Sequence, residues 1–317
     1  MDKRLFHNVY DVAETSEGYL PVRFTDKQFT HYKSKDINFE NRVRATAGVC
    51  MEFYTDKDTV DFDYTDGYFS RRYVGFDYYE DDIFKKHIEE ALDTTEGHIQ
   101  FIKTKKGRSK VTIYIPNLSQ VKIKDVDFGD YEPVTEKHKE KLLFLGDSIT
   151  QGMVAYYPSL IYCTQVARAL NADYLNRGVG SAKHEVNSLD EDDKYEPTKV
   201  FVAYGINDIA QLADISQVGD VLKETEKYYI RLKEIYKKAG IYIITPIWCL
   251  KTEEDSRFKD IFDLYRKEQA SMACSYGMKV LDGLDLVPHD TRYFQDQSVH
   301  PNDAGFLHYS DNILKRI

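Results

Sequence analysis

The chain begins with short stretches in which apolar and polar residues alternate. The alternation is clearest in residues 60–64 (VDFDY), 111–115 (VTIYI) and 121–123 (VKI). A period of two with one apolar face predicts half-buried antiparallel strands, and several short strands separated by turn residues predict a β-sandwich. Residues 81–92 interrupt this pattern, and we expect a helix there.

The pattern changes after residues 131–140 (YEPVTEKHKE), a polar segment with a proline that is typical of a domain boundary. Beyond it, short apolar runs alternate with longer segments of helical spacing. The apolar runs are residues 142–145, 200–204, 241–247 and 280–281, and the helical segments are residues 159–170, 217–239, 257–275 and 303–316. This alternation predicts an α/β domain with a doubly wound parallel sheet and helices on both of its faces.

We therefore expect two domains, which suits a length of 317 residues. A smaller antiparallel β-sandwich of jelly-roll type is expected over residues 1–135, and the parallel α/β domain over residues 136–317. Ligand sites of parallel sheets lie at the carboxyl ends of the strands. The loops that follow the apolar runs are therefore where we look for chemistry.

Composition argues against several classes of function. Lys and Arg number 43 against 53 Asp and Glu, and the net charge of −10 argues against a nucleic-acid binder and a polybasic membrane anchor. The longest apolar run, residues 241–250, contains Pro246 and is too short to span a membrane. The first residues lack the apolar core of a signal peptide, and the four cysteines form no CxxC pair. We expect a cytoplasmic protein with free thiols and no thiolate metal site.

The first apolar run leads directly into residues 146–152 (GDSITQG). A serine just beyond the end of a strand stands where a nucleophile belongs. The segment is not a GxSxG elbow, because Thr150 takes the place of the last glycine, and it is not a phosphate-binding loop, because no Gly-Lys-Ser/Thr follows. Taken alone, Gly-Asp-Ser is equally compatible with an ordinary turn.

Three further segments are expected at the same edge of the sheet. They are residues 176–181 (NRGVGS), which we expect to follow the second strand, residues 204–208 (YGIND) and residues 299–302 (VHPN). The joint occurrence of the four segments in this order is far more specific than any one of them.

With these segments, the chain from about residue 140 onward resembles the SGNH (GDSL) hydrolases. These are serine esterases and acyl hydrolases on a flavodoxin-like sheet. The resemblance implies that Ser148 is the nucleophile and that its own N–H group is one oxyanion donor. It implies a second backbone donor from Gly180 or Ser181 and a third donor from the side chain of Asn207. No metal or cofactor is implied.

His300 corresponds to the general base of the family, but the acid partner departs from the family pattern. The family commonly has an aspartate three residues before the histidine, where this chain has Gln297, and Asp296 comes one residue earlier. Asp296 could orient His300 from a slipped loop. Alternatively, Gln297 or a backbone carbonyl orients it, as in the Ser-His dyads of carbohydrate esterases that the chain resembles. The oxyanion segment also departs from the family pattern. Ser181 stands five residues after its asparagine, where the family usually has glycine.

Residues 74–79 (VGFDYY) resemble the Gly-x-Asp-Leu-Tyr signature of small β domains that precede some SGNH domains. A sandwich followed by an SGNH domain also resembles carbohydrate esterase family two, whose members deacetylate sugars. The resemblance implies a serine esterase for short-chain acyl esters. The expected partner is a small-molecule ester, with an acetylated oligosaccharide as the favoured example, and neither nucleic acid nor a membrane.

Other functions stay open at this point. A lysophospholipase or thioesterase could use the same scaffold, although the sequence reveals no long apolar groove. A catalytically silent carbohydrate-binding protein is a different class, against which the intact Ser148, Asn207 and His300 argue. The sandwich could instead be an oligomerisation module, so a homo-oligomer also stays open.

Two polar stretches outside the four segments are expected at the surface. His184 and Glu185 are interpreted as an exposed start of a helix, and the acidic residues 190–193 as a solvated loop.

Overall fold

The computed structural model describes residues 1–296 and 298–317. Antiparallel strands occupy the chain up to residue 133, and a parallel sheet with helices follows. The strands of the antiparallel part are β1 (Phe6–His7), β2 (Asp11–Thr15), β3 (Gly18–Val22), β4 (Cys50–Thr55), β5 (Thr59–Gly67), β6 (Gly75–Glu80), β7 (Ile83–Glu89), β8 (Glu96–Ile102), β9 (Ser109–Tyr114), β10 (Gln120–Asp127) and β11 (Glu132–Pro133). The helices between β3 and β4 are α1 (Asp26–Lys33) and α2 (Ile37–Arg44).

The second part of the chain alternates strands and helices as predicted. Its strands are β12 (Lys141–Gly146), β13 (Asp173–Gly178), β14 (Lys199–Ala203), β15 (Gly240–Ile244) and β16 (Lys279–Leu281). Its helices are α3 (Ser148–Gln151), α4 (Tyr162–Ala169), α5 (Ile206–Ile209), α6 (Val218–Ile235), α7 (Lys251–Glu254), α8 (Ser256–Ser275) and α9 (Asp303–Leu314).

The antiparallel strands form two sheets that pack face to face. One sheet has the order β1-β4-β9-β6-β7, with β11 beside β4, and the other has the order β2-β3-β10-β5-β8. Every second residue of β5 is buried, and Val60, Phe62 and Tyr64 point into the core between the sheets. There Phe62 packs edge-on against Phe76 of β6, with ring centroids 5.6 Å apart. The alternation seen in the sequence is therefore the inner face of a sandwich.

The helix expected at residues 81–92 is wrong, because this segment contains strand β7. β7 pairs with β6 and lies at the edge of its sheet, where its side chains are largely exposed, Ile83 and Phe84 among them. An exposed edge strand does not need a regular apolar face. Its strand conformation comes from backbone pairing with β6, which local sequence propensity does not reveal.

Helices α1 and α2 were not predicted, although their starts carry capping residues. Thr25 and Gln28 form a capping box at α1, and Asp36 accepts a hydrogen bond from the N–H of Phe39 at α2. Tyr32 of α1 and Val43 of α2 are buried against the parallel sheet and not against the sandwich.

The parallel sheet has the order β13-β12-β14-β15-β16, which is the flavodoxin-like order 2-1-3-4-5. Helices α4 and α9 contribute to the core on one face, and α6 and α8 contribute to the core on the other. The predicted architecture, a doubly wound parallel sheet preceded by an antiparallel sandwich, is confirmed. Because the strand order reverses beside β12, a crevice opens between the carboxyl ends of β12 and β14.

Residues 74–79 join the two parts of the molecule. Asp77 is fully buried, and its carboxylate accepts hydrogen bonds from the N–H of Ser159 at 2.8 Å and pairs with Nδ1 of His87 at 2.6 Å. Tyr79 donates its hydroxyl to Oγ of Ser159 at 2.9 Å. Among the described residues, every helix is too short or too polar to cross a lipid bilayer.

Candidate active site

The turn after β12 presents Ser148 at the carboxyl edge of the sheet. Asp147 caps helix α3 by accepting a hydrogen bond from the N–H of Ile149 at 3.0 Å, and Ser148 is the first residue of the helix. The helix lies tightly against β13, since a Cβ atom on Gly178 would stand only 2.2 Å from the backbone nitrogen of Gln151. Glycine at 178 therefore allows the serine turn to sit over the sheet edge.

Ser148, His300 and Asp296 form a continuous hydrogen-bonded chain. Nε2 of His300 lies 2.9 Å from Oγ of Ser148, and Nδ1 of His300 lies 2.6 Å from Oδ2 of Asp296. The loop that brings them together is closed by a bridge between Phe294 and Pro301. This is the arrangement in which a base can take the proton of a serine while a carboxylate orients the base.

The loop holds Asp296 in its ionised form. Burial raises the pKa of Asp296, but the hydrogen bond and charge of His300, together with the N–H groups of Ser298 and His300, outweigh it and lower the pKa to about 2. Gln297, the other side chain considered as a partner for His300, lies outside the described residues.

The second expected segment begins inside β13 and not after it, because Asn176 is a strand residue. Its two candidate oxyanion donors differ in what they contact. The N–H of Gly180 donates to Oε1 of Gln151 at 2.8 Å and is therefore engaged. Ser181 has φ of 65°, a left-handed conformation more usual for glycine. Among the described residues, the N–H groups of Ser148 and Ser181 have no hydrogen-bond acceptor. The structure thus leaves these two donors available in the cleft.

Asn207 is the second residue of α5, the short helix that follows β14. Its Nδ2 atom is 3.3 Å from Oδ2 of Asp147 and 3.3 Å from the carbonyl oxygen of Ala182. Both contacts are at the long end for hydrogen bonds. The amide is thus held beside Ser148 by weak contacts.

Asp147 is itself an unusual neighbour for the serine. Its carboxyl is almost fully buried, and this burial raises its pKa to about 7, against the hydrogen bond from Ile149 and the charge of His300, which lower it. This carboxyl therefore keeps its proton to a higher pH than an ordinary aspartate, directly beside the reacting groups.

A cleft of about 300 Å³ opens above Ser148 and His300. Apolar side chains, including those of Met153, Ile206 and Phe258, form part of its wall, and the N-terminal part of the chain contributes Arg42 and Arg71, among other residues. A larger cavity of about 780 Å³ lies near the opposite, amino edge of the sheet, where it is away from all four sequence segments.

The two polar stretches expected at the surface are only partly exposed. The imidazole of His184 lies among tyrosines, and its Nδ1 is 3.2 Å from Oδ1 of Asp208. Within the acidic run, the side chain of Asp193 has 0% exposure and pairs with Arg177. The expected exposure is therefore wrong for His184, Asp190 and the side chain of Asp193, whereas Glu191 and Asp192 are exposed as expected.

Sequence reasoning missed several residues that shape the site. Gln151 engages Gly180, and its only sequence signal is its place in the GDSITQG segment. Arg42 reaches the cleft from α2, a helix that was not predicted. Arg23 is buried and donates to the carbonyl oxygens of Asn176 at 2.5 Å and Gly178 at 3.3 Å, which fixes the end of β13.

Solved structures with the same fold include several esterases and an acyltransferase. Salicylyl-acyltransferase SsfX3 of a tetracycline biosynthetic pathway superposes with a TM-score of 0.77 at 17% identity, covering 98% of this chain and 92% of that one. A family two carbohydrate esterase from Clostridium thermocellum, in complex with cellohexaose, superposes with a TM-score of 0.63 at 14% identity, covering 98% of this chain and 97% of that one. The acetyl xylan esterase Est2A from Butyrivibrio proteoclasticus superposes with a TM-score of 0.64 at 12% identity, covering 99% of this chain and 95% of that one. At these identities the likeness shows a shared fold across both parts of the chain.

Sequence comparison adds the family. No curated protein sequence matches the chain. The sequence model of the GDSL-like lipase/acylhydrolase family matches residues 144–306, which is just over half of the chain and runs from β12 into α9. This chain belongs to the GDSL-like lipase/acylhydrolase family.

Proposed function

We propose that this protein is a serine esterase that hydrolyses short-chain acyl esters and removes acetyl groups from a carbohydrate. The observation that carries the proposal is the hydrogen-bonded chain in which Oγ of Ser148 lies 2.9 Å from His300 and Nδ1 of His300 lies 2.6 Å from Asp296. Membership of an acylhydrolase family supports the reaction class.

In the first half of the reaction, Oγ of Ser148 attacks the carbonyl carbon of the ester while Nε2 of His300 takes the hydroxyl proton. Asp296 keeps Nδ1 of His300 protonated and stabilises the imidazolium. The carbonyl oxygen becomes an oxyanion, for which the N–H groups of Ser148 and Ser181 and the amide of Asn207 are the proposed donors. Losing one such donor typically costs about 2.7–4 kcal/mol in the barrier.

In the second half, His300 gives the proton to the leaving alcohol, and the bond between the acyl carbon and this alcohol breaks. A water molecule then attacks the acyl group on Ser148, and His300 takes its proton. When the bond to Oγ breaks, His300 returns the proton to Ser148, and a carboxylic acid leaves. These steps use only side chains and backbone groups of the site.

The preference for a sugar acetate is supported by the two-part fold. Structures that share the fold across both parts include a carbohydrate esterase crystallised with cellohexaose and an acetyl xylan esterase. A cleft of about 300 Å³, lined by polar as well as apolar residues, suits a short acyl group on a polar alcohol better than a long lipid chain.

The test is hydrolysis of p-nitrophenyl acetate, butyrate and octanoate and of an acetylated xylo-oligosaccharide by wild type and Ser148→Ala. Ser275→Ala is the matched control, because Ser275 is exposed at the end of α8 and its hydroxyl, among the described residues, bonds only the carbonyl oxygen of Met272. We expect activity on the acetates that Ser148→Ala loses and Ser275→Ala keeps. A preference for octanoate would favour a lysophospholipase or thioesterase, and activity that survives in Ser148→Ala would refute the serine mechanism.

A further inference from the structure

Three cationic side chains line the cleft above the catalytic serine. Arg42 comes from α2, Arg71 from the segment before β6, and Lys251 from the start of α7. None of the described residues that line this cleft is acidic, although the whole chain has a net charge of −10. The positive lining is therefore a local property of the cleft.

Arg42 is the best placed of the three. Its Nη1 donates to the carbonyl oxygen of Gly180 at 3.0 Å, and a Cβ atom on Gly180 would lie only 3.0 Å from its Nε. The guanidinium also lies over the ring of Phe39, 5.5 Å from the ring centroid. Arg42 is therefore held directly beside the Gly180–Ser181 turn.

The charge of Arg42 is only partly compensated. The side chain is half-buried, and among the described residues no carboxylate lies within ion-pair distance of it. Burial lowers the pKa of Arg42, the more distant Asp36 raises it, and the positive charge of Arg71 lowers it again. A half-buried cation without an anionic partner is costly unless a ligand supplies one.

We propose that Arg42, together with Arg71 and Lys251, binds a carboxylate of the substrate close to the ester. Guanidinium groups suit this ligand, because their planar fork matches the two oxygens of a carboxylate. The inference rests on the proposed function and narrows its substrate to an acidic ester. The carboxylate belongs either to the alcohol, as in an acidic sugar, or to the acyl group.

Two matched pairs of substrates separate these sources. For the alcohol side, the pair is p-acetoxybenzoate and its neutral amide, p-acetoxybenzamide. For the acyl side, it is the mono-p-nitrophenyl ester of glutaric acid and the corresponding carboxamide. The quantity measured is the ratio of kcat/KM for the charged ester to kcat/KM for its neutral partner. A substitution that slows catalysis of both esters equally leaves this ratio unchanged.

We expect wild type to favour the charged ester of one pair by about tenfold, the order expected for one charge-assisted hydrogen-bonded contact. Arg42→Gln and Arg71→Gln should bring this ratio towards one, and Arg42→Lys should keep part of it. The ratio should also fall when salt is raised to about 0.5 M, because screening weakens exposed charges. Thermal unfolding of each variant checks that it folds.

Arg72→Gln is the control variant. Arg72 is a neighbouring exposed arginine whose guanidinium lies over Phe69 and bonds the carbonyl oxygen of Leu92, and it does not line the cleft. Its ratio should equal that of wild type. A wild-type ratio near one for both pairs, or a ratio that Arg42→Gln and Arg71→Gln leave unchanged, would overturn the proposal.

A failure of the esterase itself can be told apart from a failure of this inference. If wild type hydrolyses neither these four esters nor the acetates of the first test, the proposed function fails. Calorimetric titration of Ser148→Ala with the same four compounds then measures their binding affinities at the anion site without turnover. Tighter binding of a charged member, lost in Ser148→Ala/Arg42→Gln, supports the anion site, and equal binding of charged and neutral members overturns it.

Discussion

At the scale of single residues, the acid partner of His300 is the first point to test. Asp296→Asn removes the negative charge that lies 2.6 Å from Nδ1 of His300. We expect kcat/KM for p-nitrophenyl acetate to fall by about a hundredfold or more, because the imidazole loses the group that orients it and stabilises its charge. Since the pKa of Asp296 is about 2, this carboxylate should not itself limit activity until the pH approaches that value.

Asp290→Asn is the control for this experiment, because Asp290 precedes the same loop, pairs with the exposed Arg292 and lies outside the cleft. It should retain wild-type activity. If Asp296→Asn also retains most of its activity, the Ser-His dyad oriented by another group would replace the triad.

Asp147 leads to a prediction about stability. Its pKa is raised to about 7 in the folded chain, mainly by burial, against about 3.9 in an unfolded chain. Between these values the folded state holds a proton that the unfolded state has released. The free energy of unfolding contributed by this group is therefore highest at low pH and falls as the pH rises towards 7.

Asp147→Asn should remove this contribution to the pH dependence. Urea unfolding of wild type and variant between about pH 4 and pH 8 measures it, and the free energy of the variant relative to wild type should rise with pH by up to about 1.4 kcal/mol per pH unit. Parallel curves for the two proteins would show that the carboxyl of Asp147 is ionised throughout.

Single residues also show how far sequence reasoning reaches into the site. The four segments identify Ser148, Asn207 and His300 as candidates, because the first two come just beyond a strand and His300 comes just before the last helix. They leave Gly180 and Ser181 as alternatives, since the choice depends on Gln151, whose side chain engages one of the two N–H groups. Such a contact depends on side-chain packing, which spacing along the chain does not encode.

At the scale of elements, the errors concern segments whose conformation depends on packing against or pairing with another element. Helices α1 and α2 carry visible caps, but their apolar residues are buried against a parallel sheet that begins about a hundred residues later. Strand β7 was mistaken for a helix because its conformation depends on pairing with β6. By contrast, β5 and the strands of the parallel sheet were predictable, because burial imposes a regular pattern on their residues.

The segment 74–79 also acts at this scale, as a link between sandwich and parallel sheet. Asp77→Ala would leave His87 and the buried N–H of Ser159 without their acceptor. We expect the free energy of unfolding to fall by about 3 kcal/mol, because buried donors are left without their hydrogen-bond acceptor. Urea unfolding monitored by circular dichroism measures the change.

Asp63→Ala is a matched control, because it breaks a second aspartate–histidine pair on a strand of the sandwich. Asp63 and His98 are both exposed, with side-chain exposures of 38% and 54%. Its effect should stay below about 1 kcal/mol. If both variants lose the same small amount, Asp77 does not hold the two parts together.

At the scale of the whole molecule, we propose that residues 1–135 and 136–317 are distinct in architecture yet stabilise one another. Besides Asp77, the buried Arg23 supports this view. Its guanidinium donates to the carbonyl oxygens of Ala45 at 2.5 Å and Arg42 at 3.1 Å, and to those of Asn176 and Gly178 in β13. These contacts connect the N-terminal part to the strand that precedes the proposed oxyanion donors.

Such an interface predicts that the two parts unfold together. Trp248 is the single tryptophan, it is buried in the second part, and its fluorescence reports on that part alone. Far-ultraviolet circular dichroism reports on both parts, so the two signals should give the same urea midpoint if unfolding is one cooperative transition.

Arg23→Met should lower both midpoints equally and cost at least about 3 kcal/mol, because several buried carbonyl oxygens lose their donor. Arg4→Met, which breaks an exposed pair with Asp2, should leave them almost unchanged. Two separate transitions by circular dichroism, only one of them seen by Trp248, would instead mean that the sandwich unfolds as an independent unit.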